Sequence, residues 1–248
     1  MVTITSAQNP EIKHVVKLHA RKYRYVYNHC IIEGIRAIET ALSGGMQLIT
    51  LFTTKEYLTQ ALSLVPEQSI VLVSEPLMQK ISTASTASGL LGVFAIPQPK
   101  QPLTAGLVLA QISDPGNMGT LIRTAAACSV KSVVVVEGVD PWSPKVLQAS
   151  VGTIALVSLF QLDWQTLLEN KHNLKLYALV VKDGVSINTI SATNSLLVVG
   201  NEAHGIPVAW QETCDQLVSL PMPGGTESLN AAVAGSLALY ITHVLNKY

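Results

Sequence analysis

The sequence predicts an α/β protein in two parts. A small N-terminal α/β/α domain precedes a C-terminal domain built on a mostly parallel sheet with helices on both faces. Three observations carry this. Short apolar runs alternate with helix-patterned segments along the 248 residues. Runs such as Ser132 to Val136 are almost continuously apolar, as strands covered on both faces are. Between the two parts, Pro97-Gln98-Pro99-Lys100-Gln101-Pro102 holds three prolines in six residues, which favours an extended spacer. The expected boundaries are 1–96 for the first domain, 97–103 for the linker and 104–248 for the second domain.

In the first domain, Ile12, Val15, Val16 and Leu18 are spaced to share one helical face. The same stretch carries Lys13, Lys17, Arg21, Lys22 and Arg24 with no acid among them, and Tyr23, Tyr25 and Tyr27 follow. Cations ordered beside aromatics suit phosphate contacts and base stacking. A solvated helix end is the plainer alternative. Strands are then expected at Cys30–Ile32, Leu48–Thr53, Ile70–Val73 and Leu90–Ile96, and helices at Ile35–Leu42, Glu56–Leu64 and Leu77–Ile81. Glu33 ends the first strand before Gly34 and reads as a capping or loop residue.

The second domain opens on an apolar strand, Gly106 to Ile112. Asp114-Pro115-Gly116 is a tight turn, and Asn117 is an N-cap for a helix over Met118–Cys128. Arg123 lies in that helix among apolar neighbours, a setting that suits an interface, a site or a buried ion pair. Further strands are expected at Ser132–Val136, Ile154–Phe160, Lys175–Val181 and Leu196–Val199, with helices at Ser143–Ser150 and Trp164–Glu169. The last strand runs into Gly200-Asn201-Glu202-Ala203-His204-Gly205. From Ser219 the chain reads as a constrained loop, with two prolines and two glycines between 221 and 225, feeding a helix that runs to Asn246. Thr226 or Ser228 can cap it. Such a loop leaves main-chain N–H groups free to bind a ligand, beside Ser228 and Asn230. Three polar loops, 114–119, 200–205 and 220–230, thus fall at strand ends, where ligands of parallel sheets bind. Neither a dinucleotide fingerprint nor a P-loop accompanies them.

Composition narrows the classes. Apolar residues make up 48% and charged residues 13%, which fits a chain with a large buried surface, a subunit interface included. No apolar run reaches the roughly 18 residues of a membrane span, and Met1 to Pro10 lacks a signal pattern. Cys30, Cys128 and Cys214 lie far apart, so neither a disulfide framework nor a metal set is expected, and a reducing cytoplasm is the natural setting. Net charge is zero, but residues 1–100 hold nine Lys or Arg against six Asp or Glu, so a basic excess is local to the first domain.

The three loops, in this order and at these spacings, resemble the motifs of the SpoU/TrmH family of RNA ribose 2′-O-methyltransferases, within the SPOUT class. Asp114 to Gly119 with Ile122-Arg123-Thr124-Ala125 is similar to the first motif, Gly200 to Ile206 to the second, and Leu220-Pro221-Met222 with Glu227 to Asn230 to the third. The basic N-terminal segment and Glu33-Gly34 are similar to the family's small RNA-binding domain. The chain departs from the pattern at Ala203, Ala232 and Gln148, where the family often has Gly, Ser and Arg.

The resemblance implies a C-terminal trefoil knot, S-adenosyl-L-methionine as methyl donor, rRNA or tRNA as substrate, and a cytoplasmic homodimer without membrane or metal. It implies catalytic roles for Asn117, Arg123, Glu202, Ser228 and Asn230, with Arg123 activating the hydroxyl or holding the adjacent phosphate. Val199, Gly200, Asn201, Glu202, Gly205, Leu220, Met222, Ser228, Leu229 and Asn230 would hold the cofactor. Lys13, Lys17, Arg21, Lys22, Arg24 and Lys145 would contact RNA. Core packing, capping and solvation are the plainer roles for these residue types. Two rivals stand beside this reading: a non-catalytic RNA-binding module with a relic methyltransferase domain, and an α/β enzyme acting on a small molecule.

Overall fold

The computed structural model describes residues 2–99 and 101–245. Lys100 of the expected linker and Asn246 at the expected end of the last helix lie outside the described residues. The chain divides into two compact units: residues up to Pro97 with Trp142–Ala155, and Gln98–Pro141 with Leu156 onward.

In the first unit, β1 (Val2–Ile4), β2 (His29–Glu33), β3 (Leu48–Thr53), β4 (Ile70–Val73) and β5 (Leu90–Ala95) form a sheet in the order β1-β4-β3-β5-β2. β5 runs antiparallel to both its neighbours, and the other pairs are parallel. β1 escaped the sequence reading because three residues are too few to show a period. Around the sheet lie α1 (Pro10–Lys17), α2 (Arg21–Tyr27), α3 (Ile35–Ser43), α4 (Leu58–Leu64) and α5 (Glu75–Ile81). α1 starts where it does because Asn9 accepts from the Glu11 N–H at 2.8 Å and Pro10 needs no donor there. Ile12, Val15 and Leu18 are buried, packed with Ile31, Phe52 and Ile81. The basic stretch is therefore two helices, broken around Ala20. Glu33 ties down a loop, accepting from Ser82 Oγ at 2.6 Å and from the Thr83 N–H and Oγ1, both at 2.8 Å.

The second unit opens with β6 (Gly106–Ala110), α6 (Pro115–Ala127) and β7 (Ser132–Val136). α7 (Pro144–Ser150) belongs to the first unit, where it packs on β2. Residues 142–155, expected within the second domain, thus have their contacts with the first. Gly152 explains part of this: its φ is +76°, and a Cβ there would sit 2.2 Å from the Ala37 carbonyl oxygen. The chain then returns to the second unit through β8 (Ser158–Leu162), α8 (Trp164–Asn170), β9 (Lys175–Leu179), β10 (Val185–Ser186), β11 (Ser195–Val199), α9 (Val208–Gln211), β12 (Gln216–Ser219) and α10 (Ala231–His243). Its seven strands run in the order β10-β12-β9-β11-β6-β7-β8, every pair parallel. On one face Val108, Val134, Leu176 and Val198 pack with Trp164 and Leu167 of α8. On the other, Val199 meets α10 at Gly235, where a Cβ would lie 3.0 Å from Val199 and 2.5 Å from Leu121 of α6. Coverage of both faces is why β6, β7 and β11 are buried at every position.

Three local expectations are corrected. The strand expected over Ile154–Phe160 is a helical turn, Thr153–Leu156, followed by β8, because Thr153 Oγ1 and the Ala155 N–H bond back to the Ser150 and Gly152 carbonyls. Asn117 is not the cap of α6. Asp114 is, its Oδ1 accepting the Asn117 N–H at 2.7 Å, and Pro115 opens the helix. Neither Thr226 nor Ser228 caps α10, since Asn230 accepts the N–H groups of Ala232 and Val233 at 2.8 and 3.2 Å. β10, α9 and β12 were not foreseen. β12 carries few apolar residues, and Asp215 sets it beside β9 by accepting the Leu176 N–H at 2.8 Å.

Candidate active site

At the carboxyl ends of β9 and β11, and beside the loop that leaves β12, the second unit holds a cavity of about 350 Å³. Its apolar walls include Leu179, Val199, Leu220, Met222 and Leu229, and its polar rim includes Asn201, Glu202, His204 and Ser228. This mixture of apolar walls with a few convergent polar groups is typical of small-molecule sites. Gly200 lies on the wall, and a Cβ there would be 2.4 Å from the Gly205 carbonyl carbon, so the 200–205 loop closes only on a glycine. The loop is locked by paired main-chain bonds between Asn201 and Gly205 at 3.0 and 2.9 Å, with Gly205 at φ +68°. Asn201 adds to the lock, donating to the Gln111 carbonyl at 2.8 Å and accepting the N–H groups of Ala203 and His204.

One run of hydrogen bonds joins all three polar loops. The Glu202 carboxylate accepts from the Ser113 N–H and Oγ, the Asp114 N–H and Asn117 Nδ2, at 3.1, 2.8, 3.2 and 2.9 Å. Asn117 Oδ1 accepts in turn from Asn230 Nδ2 at 3.1 Å, and Asn230 Oδ1 caps α10. The polarity is forced. A carboxylate only accepts, so Asn117 must turn its NH₂ to Glu202 and its oxygen to Asn230. Asn230 must then donate to Asn117 and keep its oxygen for the helix. Partial desolvation pushes the Glu202 carboxyl upward, but the donors from Asn117, its own backbone and Ser113 outweigh it and hold the pKa at about 2. An ionised carboxylate already engaged by four donors is an anchor for loops and a poor proton acceptor.

Of the residues expected to hold a cofactor, Val199, Gly200, Asn201, Glu202, Gly205, Leu220, Met222, Ser228 and Leu229 line the cavity. Asn230 stands next to it as the cap of α10. Asn117, Glu202 and Asn230 are brought together, whereas Arg123 is exposed in the third turn of α6 and is not among the lining residues. Its exposure disposes of the buried ion pair. The sequence reading missed Leu179, Val180 and Val181, together with Ala203, His204, Ala231 and Ala234. The first three sit at the carboxyl end of a recognised strand, and the strand-end rule applied there would have found them.

In the first unit, Lys13, Lys17, Arg21 and Lys22 are exposed on α1 and α2, and Lys145 is exposed on α7. Arg24 corrects the expectation of an RNA contact. It is 3% exposed, and its Nη1 donates to the carbonyls of Leu18 and His19, both at 2.8 Å. A guanidinium is well suited to collect the orphan carbonyls where α1 ends. Among the described residues no group of three or more His, Cys, Asp or Glu could hold a metal ion.

Fold and site together define an α/β protein that takes a small ligand at the carboxyl ends of a parallel sheet, with a separate unit bearing exposed cations. Comparison with known proteins makes this specific. Residues 105–240 match the SpoU rRNA Methylase family, and residues 9–92 match the MRM3-like substrate binding domain. The chain belongs to the SpoU rRNA Methylase family. It is 31% identical to an uncharacterized tRNA/rRNA methyltransferase of Synechocystis, over 97% of this chain and 93% of that protein. It is 29% identical to the 23S rRNA (guanosine(2553)-2′-O)-methyltransferase of Bacillus subtilis, over 97% and 98%. A solved RNA 2′-O ribose methyltransferase superposes with a TM-score of 0.80 at 29% identity, covering 97% of this chain and 98% of that one.

Proposed function

We propose that this chain transfers a methyl group from S-adenosyl-L-methionine to a ribose 2′-hydroxyl of structured rRNA or tRNA. The observation that carries the reading is the Glu202–Asn117–Asn230 run, which ties the 114–119 loop to the two polar loops that line one cavity. When bound, S-adenosyl-L-methionine supplies a methyl already activated on a sulfonium, so the protein's task is placement and help with one proton. The residues present fit such a ligand. Leu220, Met222 and Leu229 offer apolar walls to an adenine, and the 200–205 loop offers main-chain groups. Ser228 is a polar donor on the same wall.

Arg123 is the candidate for contact with the hydroxyl or its neighbouring phosphate. Glu202 is already committed to four donors, and an exposed guanidinium is free to meet an anion. Exchange of Arg123 for Ala is expected to lower methyl transfer at least 100-fold while leaving cofactor affinity within about twofold, a split of transition-state from ground-state effects. Full transfer activity in that variant would remove Arg123 from the mechanism.

The reading includes a trefoil knot in the second unit, a cytoplasmic location with its RNA, and a homodimer. Support for the dimer comes from α10, where Val233, Leu237 and Tyr240, spaced for one face, are 48%, 46% and 49% exposed. α6, which carries Arg123, packs against the same helix through Thr124 Oγ1 and Ser236 Oγ at 2.9 Å. The first unit would recruit RNA through Lys13, Lys17, Arg21 and Lys22, with Lys145 adding a phosphate contact. Calorimetric titration with S-adenosyl-L-methionine, followed by transfer of labelled methyl to total rRNA and tRNA, tests the whole. Saturable binding with ribose labelling upholds it. RNA binding without cofactor binding, with or without RNA present, would favour the non-catalytic module instead.

A further inference from the structure

The first unit carries a line of rings that the methyl-transfer reading does not use. Tyr23 and Tyr27 of α2 lie nearly parallel, 16° apart with centroids at 6.2 Å. Tyr27 and His14 make a T-shaped contact with centroids at 4.7 Å, and His14 and His29 make another with centroids at 5.3 Å. The two imidazoles also share a hydrogen bond, His14 Nε2 to His29 Nδ1, at 3.1 Å. Cations flank the line. Lys17 and Lys22 stand 5.7 and 5.9 Å from the Tyr23 ring centre, and Arg21 stands 5.7 Å from that of Tyr25. Tyr27 is 37% exposed, and beyond His14 opens a shallow hollow floored by Val15, Phe52 and Val93. Burial, and for His14 also the charges of His29 and Lys17, holds both imidazoles below the ordinary histidine range. Near neutral pH the pair is therefore uncharged, one nitrogen donating and the other accepting.

We infer that the ring line of Tyr23, Tyr27, His14 and His29 is a stacking platform for unpaired nucleotides of the RNA, with Lys17, Lys22 and Arg21 holding the phosphates beside it. The inference rests on the RNA reading above and goes past it, since cations alone serve duplex and single strand equally. In an A-form duplex the base faces are covered by their neighbours, and surface rings meet only ribose and phosphate. Unpaired bases present free faces to rings and free phosphates to cations at once.

The test is an anisotropy titration of the full chain with a labelled single-stranded RNA of mixed sequence, and with the same strand in a duplex, across a salt series. Exchange of Tyr27 for Leu keeps apolar bulk and removes the ring. It is expected to weaken single-strand binding roughly 5- to 100-fold and to leave the duplex affinity and the salt slope unchanged. Tyr27→Phe keeps the ring and the affinity. Lys17→Ala weakens both forms and lowers the single-strand salt slope by about 0.7. Equal binding of single strand by wild type and Tyr27→Leu, with Lys17→Ala still weakened, would overturn the platform and leave the RNA reading intact. If the wild-type chain binds neither RNA, the RNA reading itself fails and the platform falls with it.

Discussion

At the scale of single residues, Glu202 decides most. Its carboxyl is held at about 2, against 4.5 for an unperturbed group. A depressed folded-state pKa contributes stability that is present above pH 4.5 and lost as pH falls through 2. Exchange of Glu202 for Gln keeps the size but turns a donor toward donors. The variant is expected to melt below wild type at pH 7, and the gap should narrow between pH 4.5 and 2 as the wild-type carboxyl is protonated. Because the residue is exposed, solvent screening keeps the effect modest. Melting curves of both proteins across that range check it, and a constant gap would show that Glu202 does not titrate as a loop anchor. The identities of Glu202, Asn117 and Asn230 were legible because short polar motifs survive as text. Their mutual orientation was not, since it follows from contacts across 85 and 113 residues of chain. Arg24 is the converse. In the sequence it is one cation among five, and only burial separates it from the others.

Among the elements, α10 is the one whose start matters most. Asn230 does two things there: its oxygen caps the helix, and its nitrogen donates to Asn117. Exchange for Ala removes both and is expected to cost about 1 kcal/mol of stability. Exchange for Asp separates them. Aspartate caps as well as asparagine and suits a helix N-terminus, yet offers no donor to Asn117 Oδ1. Asn230→Asp should melt within about 2 °C of wild type, while methyl transfer falls at least tenfold. Transfer at the wild-type rate would show that the link to Asn117 is dispensable. The helices and central strands were readable because β6, β7 and β11 are buried on both faces and therefore apolar throughout. The cap of α10 stayed open in the sequence among Thr226, Ser228 and Asn230, all good caps, and the choice of Asn230 belongs to the path of the loop before it. β12 was missed because its place in the sheet is set by pairing with β9, which Asp215 reaches across 39 residues of chain.

For the molecule as a whole, the apolar face of α10 is the testable feature. Leu237 is 46% exposed in the single chain, so Leu237→Asp should leave the fold intact. If that face joins two copies, sedimentation at micromolar concentration should show the wild type as a dimer and the variant as a monomer. A monomeric wild type would end the dimer reading. By itself, the sequence determined the alternation of strands and helices, the two-part plan and the three motif loops. Each of these is written locally, in apolar period, in proline and glycine, and in runs of polar residues. Only the tertiary structure decided that residues 142–155 pack with the first unit, that Arg24 faces inward, and that Glu202, Asn117 and Asn230 form one chain of hydrogen bonds. The physical reason is common to all three. Burial and hydrogen-bond polarity are properties of neighbours in space, and these neighbours are not adjacent in the chain.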